Sequence, residues 1–209
     1  MTSSITEVQF FGDACCPWTW NTSRWLADVA ERQGIAVEWR TLSLAELNKD
    51  RDVPEHFRPR LECSRRMARV FESLRATDRN DIVAQLFTEY GARIHHDDSA
   101  PGDALMIECA TAIGLDLPAA QAAADDAAWD TAIAQSVAEA MALAGPEVGS
   151  PIIGAPSLGR GFFGPIVSPP PQGPEADSLW EILTASLQLP GFFELKRGRT
   201  HGVEFGPRP

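Results

Sequence analysis

The sequence predicts an α/β fold that opens strand–helix–strand, continues through a long helical insertion and closes strand–strand–helix. Three observations carry this. Two short strand-like runs flank a helix-period segment near the start; roughly 100 residues of helical spacing follow; strand-like runs return after Gly149.

Taken in order, Val8-Gln-Phe-Phe11 is a short apolar run stopped by Gly12-Asp13, a buried first strand. Pro17 suits a first helical turn, where its missing N–H would have had no partner, and Trp18, Trp25, Leu26 and Val29 recur with helical spacing up to Gly34. Ile35-Ala-Val-Glu-Trp39 alternates as a second strand, parallel to the first through a right-handed crossover. Leu61, Ala68, Phe71 and Leu74 fit one helix face, Ile82, Leu86, Tyr90 and Ile94 another, and Leu105, Cys109, Ala112 and Ile113 a third closed by Gly114. The alanine-dense stretch Ala119 to Ala144 supplies one or two more. Pro151-Ile-Ile153 and Leu158 to Phe163 read as a strand pair turned at Gly154 to Pro156. Leu179, Ile182, Leu183 and Leu187 form a last helix entered through Gly173-Pro174. Pro169-Pro170-Pro171 is a stiff connector. This is a thioredoxin-like core, residues 1–43 and 147–209, with a helical subdomain, residues 44–146, spliced in.

The chain has 209 residues, 44% of them hydrophobic, and a formal net charge of −11, which argues against nucleic acid or an anionic membrane surface as partner. No apolar run approaches a membrane span, and the polar stretch Met1 to Val8 lacks the apolar core of a secretory leader, so a cytoplasmic location is expected. Four cysteines, at 15, 16, 63 and 109, are too few and too irregular for a disulfide scaffold or a zinc site.

The sharpest local feature is Cys15-Cys16-Pro17-Trp18-Thr19-Trp20, which follows a strand and opens a helix. A cysteine there faces unpaired backbone N–H groups and the positive end of the helix dipole. Both favour a thiolate, so the Cys16 pKa is expected below the free value of about 8.5, making Cys16 the nucleophile. A Cys15–Cys16 link would close a strained eight-membered ring; Cys109 reads as core, and so does Cys63, unless its helix caps the site. Gly149-Ser150-Pro151 precedes a short apolar strand, where a cis Ser150–Pro151 bond is accessible. In thioredoxin-like folds such a proline lies beside the helix-borne cysteine and offers backbone groups to a bound thiol.

With these motifs in place, the chain resembles the actinobacterial DsbA-like family that includes mycothiol-dependent nitroreductases. The matching segments are Cys16-Pro-Trp-Thr-Trp20, Thr22-Ser-Arg-Trp25, Ser43-Leu44 through Asn48, Arg93-Ile-His95, Val148-Gly-Ser-Pro151, Phe162-Phe-Gly-Pro165 and Phe192-Phe-Glu-Leu-Lys-Arg197. The resemblance spans nearly the whole chain, and its tail segment is more specific than its cysteine motif. It implies thiol-disulfide exchange with a low-molecular-weight thiol such as mycothiol, with no metal and no nucleotide. The family pattern is Cys-Pro-Trp-Cys, and Thr19 replaces the second, resolving cysteine. The site therefore reads as monothiol, with Thr19 donating a hydrogen bond to the Cys16 sulfur and Pro17, Trp18, Ser150 and Pro151 shaping the thiol-binding edge. Asn48 matches a position near the family's substrate pocket, and Phe57 falls where the family can carry a tyrosine.

Residues 51–80 hold eight arginines against five acids, and residues 97–130 hold eight acids and no base. The arginines read as a solvated helix face, with binding of a carboxylate-bearing thiol as the alternative. His95-His96-Asp97-Asp98 reads as a solvated loop. Gly159-Arg-Gly-Phe-Phe-Gly164 matches a dinucleotide pattern, but Pro165 forbids the helix that should follow. The expected partners are a small thiol and a second substrate, with a homodimer left open. Two alternatives stand beside the oxidoreductase reading. One is a thiol transferase without disulfide cycling, resembling kappa-class transferases or 2-hydroxychromene-2-carboxylate isomerases. The other is a non-catalytic binding protein that retains the fold.

Overall fold

The computed structural model describes residues 5–209, so the leader expectation at Met1 to Val8 falls partly outside the described residues. Strand β1 (Glu7–Gly12), helix α1 (Pro17–Gln33) and strand β2 (Ala36–Thr41) make the opening unit. The strands run parallel from Glu7↔Ala36 to Gly12↔Thr41. Helix α1 ends where Gly34 turns left-handed at φ 68° and donates its N–H to the Ala30 carbonyl, a conformation that favours glycine.

Six helices follow: α2 (Leu44–Leu47), α3 (Arg58–Arg75), α4 (Asn80–His95), α5 (Asp103–Ala112), α6 (Leu117–Asp125) and α7 (Asp130–Ala144). Strands β3 (Ile152–Ala155) and β4 (Arg160–Phe163) and helix α8 (Gly173–Leu187) close the fold. The sheet order is β2-β1-β3-β4, with β3 antiparallel to both neighbours. The β3–β4 turn differs from the expected one. Strand β3 continues to Ala155, which pairs with Arg160, and the reversal occurs over Pro156–Leu158 with Gly159 at φ 61°. Gly154 is thus a strand residue; the left-handed turn position belongs to Gly159.

The consecutive phenylalanines of β1 follow from burial on both faces. Phe10 packs with Trp39 and Phe87, ring centroids 5.1 Å and 6.1 Å away, in a core shared by α1, α3, α4, α5 and α8. Phe11 joins Leu42, Val137, Ala140 and Ile152 beneath α7. The outer edge of β2 is met by Asn80, whose side-chain amide donates to the Trp39 carbonyl (2.8 Å) and accepts its N–H (2.9 Å). Trp20 and Trp25 are fully buried, as core packing requires, and the Trp25 indole donates to the Ala176 carbonyl.

The charge blocks find each other. Arg66 pairs with Asp103 and Asp125, Arg69 with Asp130, and Arg75 with Glu72 and Glu38. The expectation of a solvated arginine face, or of a carboxylate-binding one, is therefore corrected at these three positions. The basic side of α3 neutralises acids from α5, α6, α7 and β2. Among the described residues, no helix is long and apolar enough to cross a membrane.

Gly91 lets α4 come close to α1, since a Cβ there would lie 2.3 Å from the Trp20 ring. Gly91→Ala should lower unfolding free energy in urea by about 1–3 kcal/mol, the range for overpacking a rigid core. A neutral result would mean that Trp20 is free to move.

Candidate functional site

Cys16 is the N-cap of α1, in extended conformation, with Pro17 in the first turn. Its N–H donates to the Asp13 carbonyl (3.0 Å), and its own carbonyl accepts from Trp20 N–H (2.9 Å). The backbone N–H groups of Trp18 and Thr19 and the Thr19 hydroxyl, at the start of the helix, favour a thiolate at the sulfur. Burial nevertheless dominates: Cys16 is 8% exposed, and desolvation, aided by the Asp13 charge, pushes its thiol up. The depressed pKa expected from the helix terminus alone is thereby corrected. In the resting chain Cys16 is a thiol held by donors that favour its ionised form.

Thr19 is fully buried, and its hydroxyl lies 2.7 Å from the Ser150 hydroxyl. That contact carries the loop before β3 against the first turn of α1. The Ser150–Pro151 peptide bond is cis, and the Pro151 carbonyl accepts the Gly164 N–H (2.9 Å). Gly12 makes room for the arrangement, since a Cβ there would lie 2.6 Å from the Thr19 methyl. Thr19, in the first turn after Cys16, and Ser150, beside the cis proline, are thus brought together from positions 131 residues apart.

Trp18 and Pro17 are half-buried, and the Arg199 guanidinium lies over the Trp18 ring at 4.2 Å, a cation–π contact. Asn48 and Phe57 are not seen to join this group. The Asn48 amide donates to the Leu44 carbonyl (2.8 Å) at the end of its own short helix. Phe57 is 44% exposed and packs on His56. An open groove of about 620 Å³ runs between α1, β2 and α4, lined by residues such as Ala27, Val37, Trp39 and Ala84. None of the site residues named from the sequence lines it.

Several residues to which the sequence assigned no role in the site hold it in place. Asp13 is buried and accepts the Cys15 N–H (2.8 Å), the Leu44 N–H (2.8 Å) and the Ser64 hydroxyl. His95 is buried at the end of α4 and donates from Nε2 to the Ala14 carbonyl (2.8 Å), while His96 Nε2 accepts from the Trp20 indole (3.1 Å). The solvated-loop expectation for His95 and His96 is corrected: both brace the cysteine loop and α1. Asp97 pairs with Arg208. Among the described residues, no group of three or more His, Cys, Asp or Glu is placed to hold a metal ion. The C-terminal tail completes the bracing. Asn21 donates to the Val167 (3.1 Å) and Glu204 (2.9 Å) carbonyls, Thr22 donates to the Pro165 carbonyl (2.7 Å), and Phe205 packs on both histidines. A buried asparagine and threonine one turn beyond the cysteine were the available signal.

Comparison with known proteins fits this geometry. The family model of the mycothiol-dependent nitroreductase Rv2466c (Rv2466c-like) matches residues 15–197. The uncharacterized protein Rv2286c of Mycobacterium tuberculosis (strain ATCC 25618 / H37Rv) is 28% identical over 200 residues, covering 94% of this chain and 84% of its own. Three solved structures share the fold. A 2-hydroxychromene-2-carboxylate isomerase gives a TM-score of 0.58 at 15% identity, covering 86% of this chain and 93% of its own. The probable DsbA oxidoreductase SCO1869 of Streptomyces coelicolor gives 0.56 at 17%, covering 86% and 88%. A putative protein disulfide isomerase of Nitrosomonas europaea gives 0.55 at 12%, covering 88% and 98%.

Two outcomes follow from the electrostatics. Alkylation of Cys16, followed against pH in a variant lacking the other cysteines, should show a midpoint above the free-thiol value of about 8.5. Thr19→Ala should raise that midpoint further and Asp13→Asn should lower it; a midpoint below the free value would overturn the dominance of burial. For His95, burial lowers the pKa from 6.5 to about 4. Between these values the unfolded chain binds a proton that the folded chain does not. Stability must therefore fall as pH drops through that window, by up to about 3 kcal/mol. Urea unfolding across the window should show this slope in the wild type and a flatter one in His95→Gln.

Proposed function

We propose that this chain, which belongs to the family of the mycothiol-dependent nitroreductase Rv2466c and is thereby a thiol oxidoreductase in general terms, works through Cys16 alone with a low-molecular-weight thiol, mycothiol, as partner. The observation that carries the reading is the Thr19–Ser150 hydroxyl contact, 2.7 Å long, at the position where a dithiol site has its second sulfur. The Thr19 hydroxyl favours the Cys16 thiolate and shares a hydrogen bond with the Ser150 hydroxyl, so the cis-proline loop is linked to the nucleophile through two hydroxyls.

In the proposed reaction the Cys16 thiolate attacks one sulfur of a disulfide. The S–S bond breaks, a thiolate leaves, and Cys16 is held as a mixed disulfide. The N–H groups of Trp18 and Thr19 and the Thr19 hydroxyl stabilise the sulfur anion before attack. Thr19 has no sulfur and cannot resolve the adduct. The small thiol supplies the second sulfur and regenerates Cys16 by exchange. Pro17, Trp18, Ser150 and Pro151 border the bound thiol, Trp18 with its ring held by Arg199. Because burial keeps Cys16 protonated at rest, its proton must pass to a base, on the incoming partner or in solvent, as the sulfur attacks. Asn48 and Phe57 are left out of the contacts that support this reading.

A second reading is favoured by the same hydroxyl pair. A site with one sulfur and no resolving partner also suits transfer or isomerisation on a bound thiol, without change of oxidation state. Conjugation of an electrophile with no disulfide produced would select it.

Incubation with the disulfide of a low-molecular-weight thiol should give one adduct per chain by intact-mass measurement. Cys16→Ser should abolish the adduct and Cys15→Ser should leave most of it. Thr19→Cys should release the adduct without added thiol, through an internal disulfide. Persistence of the adduct in Cys16→Ser would sink the assignment.

A further inference from the structure

Tyr90 is the only tyrosine of the chain, and it lies fully buried where α4 meets α3 and the loop between β1 and α1. Two sulfurs converge on its hydroxyl. Cys63 Sγ, from α3, is in direct hydrogen-bond contact with it, and Cys15 Sγ donates to it at 3.8 Å. Both thiols are free; Cys15 is fully buried and Cys63 is 4% exposed. Sharing one hydroxyl, the two thiols lie close enough that each bears on the other's ionisation. Nothing in the Cys16 chemistry uses either of them. A tyrosine on an apolar helix stripe with two thiols around its oxygen is not needed for packing, since phenylalanine and alanine would fill the same space with no polar atom to satisfy.

We propose that Cys15 and Cys63 form a second redox site, a buried dithiol that a hydroperoxide oxidises to a disulfide joining α3 to the residue before Cys16. The pair is asymmetric, as such a site requires. The Cys15 thiol, the Tyr90 hydroxyl and the Gly102 N–H beside the Cys63 sulfur favour its anion and hold its thiol below the ordinary range against its burial. The neighbouring Cys63 sulfur, burial and the Asp13 charge hold the Cys15 thiol well above it. Burial and the neighbouring sulfurs push the Tyr90 phenol far up, so it remains a neutral donor. One sulfur is therefore prepared as the nucleophile, and the other keeps its proton.

The chemistry balances. The Cys63 thiolate attacks the outer oxygen of the hydroperoxide and the O–O bond breaks. Cys63 becomes a sulfenic acid, and the departing alkoxide takes a proton to leave as the alcohol, or as water when the oxidant is hydrogen peroxide. The Cys15 sulfur then attacks the sulfenic sulfur. The S–O bond breaks, hydroxide leaves with the Cys15 proton as water, and the disulfide forms. Two thiols lose two hydrogens in all, and the peroxide is reduced.

The proposal does not depend on Cys16 being catalytic, and its test separates the two. The reduced full-length chain and its Cys16→Ser variant would be treated with limiting hydrogen peroxide, digested without reductant and mapped by mass spectrometry. Both should lose two hydrogens and yield a reducible peptide pair joining Cys15 to Cys63, absent in Cys15→Ala and in Cys63→Ala. Tyr90→Phe should slow formation of the link by about tenfold, the factor that one lost charge-assisted hydrogen bond represents. A map in which Cys16 is oxidised while Cys15 and Cys63 stay free would overturn the proposal. So would a link between Cys15 and Cys16 in the wild type. The wild-type map decides the matter even if a variant fails to fold.

Discussion

The carboxylate of Asp13, buried where β1 gives way to α1, is the constraint from which the local architecture follows. Its oxygens accept the Cys15 N–H, the Leu44 N–H and the Ser64 hydroxyl. One side chain thus ties the cysteine loop to the start of α2 and to the middle of α3. A charge taken out of water is tolerated only where its hydrogen bonds are made, and removing it would strip the Cys15 and Leu44 N–H groups of their acceptor. The arrangement also carries an electrostatic cost, because the same negative charge disfavours ionisation of Cys15 and of Cys16.

Around that anchor, three adjacent segments place sulfur in contrasting environments. Cys16 lies at a helix start, where backbone donors and Thr19 favour the anion, yet burial prevails. Cys63 lies mid-helix, where no dipole argument favours ionisation, yet the Cys15, Tyr90 and Gly102 groups around its sulfur outweigh burial. Cys109, buried beside carboxylates from α4 and α5, is pushed up to about 12 and stays an inert thiol. Helix position sets the direction of one contribution; the balance of desolvation against specific donors sets the outcome. The Thr19–Ser150 pair belongs to the same balance, since it couples the nucleophile's hydroxyl donor to the loop carrying the cis proline.

The fold was legible to a large degree because its signals are local. Phe10 and Phe11 on consecutive positions required a strand buried on both faces, and Pro17 and Gly34 marked the two ends of α1. The helical stripes through Phe71, Leu86 and Cys109 also needed only their own spacing. The site was legible where a motif is contiguous, as in Cys16 to Trp20 and Gly149 to Pro151. It was less so where partners come from distant elements. The reading of His95 and His96 as loop failed because their acceptor and donor, Ala14 and Trp20, lie more than seventy residues away. The turn after β3 was misplaced by a few residues because Gly154 and Gly159 look alike in sequence, and only the pairing of Ala155 with Arg160 separates them.

What the sequence by itself determined is the order of elements, the placement of a cysteine at a helix start and the loss of a second sulfur at Thr19. These are properties of short segments, governed by side-chain period, backbone dihedrals and the identity of one residue. Only the tertiary structure decided which sulfur is stabilised as an anion. That depends on how many donors from α3, α4 and the cysteine loop reach each atom after water has been excluded. Desolvation and hydrogen bonding of a buried group are set by neighbours in space, and no spacing along the chain encodes their sum.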